Sequence, residues 1–145
     1  MSAVLERPLS RIPYFNRPVS LVYDMSLLQM RMFKKLEEIA DLPENWDGNK
    51  SPQLQPAAKE TAALLLNKLG DLNMPMPHFA PVSGGGLQLE WQNNKREMEL
   101  EIMCDGSISY LIVNASGETL ERTLPREPFI MQQQLEALTA WFKSK

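Results

Sequence analysis

Residues 87–113 read LQLEWQNNKREMELEIMCDGSISYLIV, and their period decides the fold. Leu87, Leu89 and Trp91 alternate with Gln88, Glu90 and Gln92. Met98, Leu100 and Ile102 alternate with Glu97, Glu99 and Glu101. A period of two sends apolar side chains to one face of a strand and polar ones to the other. Asn93-Asn94-Lys95 supplies a turn between these runs, and Asp105-Gly106 is a two-residue hairpin signal before the next. In that third run Ile108, Tyr110 and Ile112 face one way and Leu111 and Val113 the other, so both faces are apolar, as in a central strand. Asn114 to Gly117 turns the chain again, and residues 119–124 make a fourth strand. Such short links join antiparallel neighbours, so the expected sheet is a four-stranded meander over about 87–124.

Outward from the sheet the period becomes helical. Leu28, Met32, Leu36 and Ile39 define a helix over about 24–41, with Asp24 and Ser26 both competent to cap it. Ala58, Ala62, Leu65 and Leu69 define a second over about 54–70, with Pro56 in its first turn and Gly70 as a left-handed stop. Ile130, Leu135, Leu138, Trp141 and Phe142 form the apolar side of a last helix over about 128–143. Between the second helix and the sheet, Pro75, Pro77 and Pro81 forbid helix and confine any strand there to an edge. The expected fold class is α+β: two helices, a four-stranded antiparallel meander, and one helix, with the helices packed on one face. Residues 1–20 stand apart as an extended arm, since Pro8, Pro13 and Pro18 break helix at five-residue intervals. Residues 21–145 form the single domain.

Composition narrows the function. The chain has 145 residues, 43% of them hydrophobic and 23% charged, which suits one globular domain. No apolar run approaches the roughly 18 residues of a membrane span, and the first residues lack a secretory pattern. A cytoplasmic location is expected. Net charge is −3, which disfavours wholesale capture of nucleic acid. The arm is the local exception, with Arg7, Arg11 and Arg17 against Glu6, so nucleic acid enters only indirectly or through it. One cysteine and one histidine exclude a disulfide framework and an ordinary Cys/His zinc site. No metal and no cofactor are expected. Ser83-Gly84-Gly85-Gly86 lacks the lysine of a phosphate-binding loop, and no Gly-x-Ser-x-Gly elbow is present. Cys104 and His78 are not required to meet. The chain therefore reads as a non-enzyme.

Three features are candidates for binding. Glu97, Glu99 and Glu101 lie on the polar face of one strand beside Glu90 and Glu121, with Arg96 and Arg122 expected to relieve them. Like charges opposite each other weaken a sheet, so this face either serves as a solvated deterrent to aggregation or docks a basic partner. In the arm, Arg11, Tyr14 and Phe15 combine charge with apolar surface. In the turn Glu44-Asn45-Trp46-Asp47-Gly48, Trp46 either pins the loop to the core or, with Asp47, contacts a partner.

That turn, the alanine-rich helix after it, the Pro-rich segment, and Gly85-Gly86-Leu87-Gln88-Leu89-Glu90-Trp91 with Leu100-Glu101-Ile102 before Asp105-Gly106 form a longer pattern. Over about residues 42–113 the chain resembles small uncharacterised bacterial proteins in which an Asn-Trp-Asp-Gly turn precedes a helix and a Leu-x-Glu-Trp strand. The resemblance implies a small companion protein of variable or mobile loci, without catalytic residues, and Trp46 packed on Trp91. The expected function is a protein–protein interaction module: an adaptor, inhibitor or antitoxin-like companion. Its partner is another protein, with a second copy of the chain as an alternative. The competing readings are a small acidic dimeric chaperone and a nucleic-acid accessory protein acting through the basic arm.

Overall fold

The computed structural model describes residues 26–145. The arm, with Arg11, Tyr14 and Phe15, lies outside the described residues. Among them the order is α1 (Leu27–Ala40), α2 (Pro56–Gly70), β1 (His78–Val82), β2 (Gly86–Gln92), β3 (Glu97–Ile102), β4 (Ile108–Val113), β5 (Thr119–Leu124) and α3 (Pro128–Lys143). The class is α+β, and the sheet is an antiparallel meander in the order β1-β2-β3-β4-β5. It has five strands rather than four. The added strand is β1, drawn from the Pro-rich segment and paired from His78 opposite Glu90 to Val82 opposite Gly86. An edge strand bonds to the sheet on one side only, so Pro81 is tolerated there. Phe79 buries its ring on the core side.

Ser26, not Asp24, begins α1. Its hydroxyl accepts from the Gln29 amide at 3.1 Å, and the Gln29 side chain accepts from the Ser26 amide at 3.1 Å. This reciprocal box satisfies two donors that a helix start otherwise leaves open. Met32, Leu36 and Ile39 bury their side chains, as their spacing requires. Pro56 opens α2, two residues later than the periodicity suggested, because a proline disfavours helical backbone at the residue before it, and Gln55 is extended at ψ 147°. Gly70 is helical, not a left-handed stop. A Cβ there would run into the Gln29 side chain that caps α1, and the left-handed residue is Asn73, at φ 55°.

The helices cover one face of the sheet. α2 lies centrally, packed against α1, α3, β2 and β3, while α1 also touches β1. Leu65, Leu66, Leu87, Leu89, Leu100 and Ile102 at the centre have no exposed surface. Trp91 is buried with them, and its indole N–H donates to the Pro75 carbonyl at 2.8 Å. At α3 the buried stripe is Met131, Leu135, Leu138 and Phe142. Ile130 was expected on that side but is 40% exposed. It sits one residue, or about 100° of helix turn, off the stripe. Trp141 is half-buried beneath the Arg96 guanidinium, 5.4 Å from its ring centre. No helix among the described residues is long and apolar enough to cross a membrane.

Candidate binding surface

The face of the sheet away from the helices is built by register. Glu90 on β2 stands opposite Glu99 on β3, Glu99 opposite Leu111 on β4, and Leu111 opposite Glu121 on β5. Neighbouring rows run Gln88–Glu101–Ser109–Thr123 and Gln92–Glu97–Val113–Thr119. Opposed residues share a face, about 5 Å apart. Five carboxylates therefore surround two apolar side chains, Leu111 and Val113. A shallow depression of about 210 Å³ lies among Glu90, Gln92, Glu97, Glu99, Leu111 and Val113.

Glu99 is central, and its carboxyl titrates above the ordinary glutamate range. Partial burial is the main cause, followed by the charges of Glu90, Glu101, Glu121 and Glu97. Gln88 donates from its amide to the Glu90 carboxylate. The expected relief from arginine is not there. Arg96 donates to the Ser144 carbonyl and covers Trp141. Arg122 is opposite Tyr110, on the helix side of the sheet, and donates to the Glu121 backbone carbonyl at 2.9 Å. Residue 122 differs from 121 by one, and in a strand one residue reverses the face. Among the described residues the ion pairs are Lys35–Glu38 and Lys59–Glu37, both away from this face.

The turn at 44–51 lies elsewhere, against the β1–β2 hairpin. Asn45 takes a left-handed φ of 64°, and its side-chain oxygen accepts from the Lys50 amide at 2.7 Å. Asp47 spends both oxygens. One accepts from the amides of Asn49 at 2.8 Å and Ser51 at 3.2 Å, and the other from the Ser83 hydroxyl at 2.6 Å. These bonds, the Ser83 hydroxyl foremost, hold its carboxyl below the ordinary aspartate range. Ser51 then accepts from the Gly84 amide at 3.0 Å. The motif thus fastens the loop before α2 to the glycine turn of the sheet. Trp46 is half-buried and stands apart from the side chains packed on the core, which include Trp91.

Glu97, Glu99 and Glu101 are therefore brought together, while Trp46 and Asp47 form a separate structure at the sheet's end. Glu90, Leu111, Val113 and Glu121 belong to the face as well. The alternation placed them on a polar or second apolar side, but only the strand register makes them neighbours. His78 is exposed opposite Glu90, whereas Cys104 is exposed beyond the far end of β3. Among the described residues no three His, Cys, Asp or Glu side chains converge to hold a metal. No family model, curated protein or solved structure matches the chain.

Proposed function

We propose that this chain is a non-enzymatic protein–protein interaction module, an adaptor, inhibitor or antitoxin-like companion, whose outer sheet face receives a basic segment of another protein. The observation that carries this reading is the group of five carboxylates around Leu111 and Val113, without an ion pair among the described residues. Repulsion between them costs stability, and a basic ligand turns that cost into attraction. The two apolar side chains favour a segment that mixes arginine or lysine with apolar residues. Arg11, Tyr14 and Phe15 of the arm belong to the same reading as a second contact.

The test is capture from the native host by tagged full-length chain, at low and high salt, with light scattering on the eluate. A single stoichiometric partner is expected, lost in the Glu97→Lys/Glu99→Lys/Glu101→Lys variant and weakened by salt. A chain that elutes alone, or capture unchanged by the triple reversal, overturns the proposal.

A further inference from the structure

Among the described residues, β5 pairs with β4 on one side and with no strand on the other. The opposite edge, β1, carries Pro81, which has no amide to offer an incoming strand. β5 has no proline, and Thr119 to Thr123 are exposed. An open strand of this kind is a template for another. We infer that two copies of this chain join β5 to β5, antiparallel, with the two-fold axis at Leu120.

The hairpin before β5 decides which backbone groups are free. The Asn114 amide donates to the Glu118 carbonyl at 3.0 Å, and the direction of bonding alternates along an antiparallel strand. Even-numbered residues of β5 therefore bond to β4. Thr119, Glu121 and Thr123 turn their amides and carbonyls to the open edge.

Side-chain chemistry sets the register. In a joined sheet, opposed residues share a face. With Leu120 opposite Leu120, Glu118 of each copy stands opposite Arg122 of the other, and Thr119 exchanges backbone bonds with Glu121. Moving the axis to Glu121 or to Arg122 sets like charges opposite each other, which weakens a sheet. Moving it to Thr119 sets Leu120 against Glu118. The register at Leu120 is the one in which charge and apolar contact agree.

Apolar surface lies at the same place. Leu120 is 38% exposed, and with Ile112 and Trp141 it lines a groove of about 120 Å³ rimmed by Asn114, Glu118 and Thr119. The Asn114 side-chain amide donates to the Glu118 carboxylate at 2.7 Å, which holds that charge at the rim. Trp141 also ends a row on α3 that begins at the exposed Ile130 and passes through Gln134 and Ala137. Leu120 of the second copy covers the groove, because side chains come closest in the pairs that exchange no backbone bonds. The joined sheet then carries both acidic outer faces on one side.

The experiment is analytical ultracentrifugation of the full chain over a range of concentrations, with cross-linking as a readout of register. A reversible dimer is expected. Arg122→Glu should weaken it about tenfold, since each of two pairs turns from attraction to repulsion. The exchanged pair Glu118→Arg/Arg122→Glu should restore it. In a Cys104→Ser background, Leu120→Cys should form a disulfide-linked dimer on mild oxidation. Thr123→Cys should not, because the two thiols would lie ~20 Å apart along the strands. Both cysteine variants leave Glu118 and Arg122 in place, so they test the register even where a charge variant fails to fold. A chain that sediments as a monomer at every concentration overturns the inference. So does a dimer that cross-links equally at both positions, or one that Arg122→Glu leaves unchanged. Slow hydrogen exchange at the Thr119, Glu121 and Thr123 amides of a monomer also overturns it, and makes another segment of the chain the occupant of the edge. None of these outcomes alters capture of a basic partner by the acidic face, so the two readings fail separately.

Discussion

The two faces of the sheet come from the same residues, taken alternately, and do opposite things. On β3, Met98, Leu100 and Ile102 are at most 1% exposed beneath the helices, while Glu97, Glu99 and Glu101 between them face outward. One face gains free energy from burial. The other gives some back through repulsion among its carboxylates. The difference teaches that the core supplies enough stability for the outer face to carry an unfavourable charge pattern, and the energetic contrast between neighbouring residues is open to measurement.

The largest break should come from the buried side. Leu100→Ala is expected to cost about 2–5 kcal/mol in urea unfolding, with Glu99→Ala next to it changing stability by less than ~0.5 kcal/mol. Similar losses at both positions would erase the contrast. Trp91→Phe keeps most of the buried ring but leaves the Pro75 carbonyl without its donor, which should cost about 1–3 kcal/mol. Equal stability to the wild type would show that this bond contributes nothing.

At the end of the sheet, Asp47→Ala should lower Tm by about 5 °C near neutral pH, since its bond to the Ser83 hydroxyl of the hairpin and two bonds within the loop go with it. Its carboxyl is depressed in the folded chain, so the stabilisation is present above the unfolded aspartate value of about 3.9. It is lost as pH falls through the folded value. Melting curves of variant and wild type should therefore converge in acid, and a pH-independent gap would point to packing instead.

The smallest effect sharpens the comparison from the outer face. Glu99 has a raised folded value, so its charged form destabilises the fold as pH rises from the unfolded glutamate value, about 4.3, through the folded one. Glu99→Gln should raise Tm by about one degree above that window and leave it unchanged below. A lower Tm at neutral pH would mean that the carboxylate is engaged rather than repelled.

Much of the fold was legible because β2 to β4 alternate strictly and the helices carry regular apolar spacing. β1 was missed as a strand because three prolines within seven residues hide the alternation of Phe79 and Pro81. Gly70 and Ile130 were misplaced because the packing of Gln29 and the exact angle of α3 are not written in composition. At the candidate site, Glu97, Glu99 and Glu101 were readable from one strand. Arg122 does not relieve them, because one residue from Glu121 reverses the face, and the bond between Asp47 and Ser83 leaves no local signal because 36 residues separate the two.

By itself, the sequence determined the class of fold, the alternation that makes one face of the sheet apolar and the other acidic, and the basic character of the arm. These follow from local rules of period, turn chemistry and charge. Only the tertiary structure decided which carboxylates become neighbours, where the arginines point, and that the Asn-Trp-Asp-Gly turn fastens a loop. Each of those depends on strand register and long-range hydrogen bonds, which join residues far apart in the chain and leave no local signal.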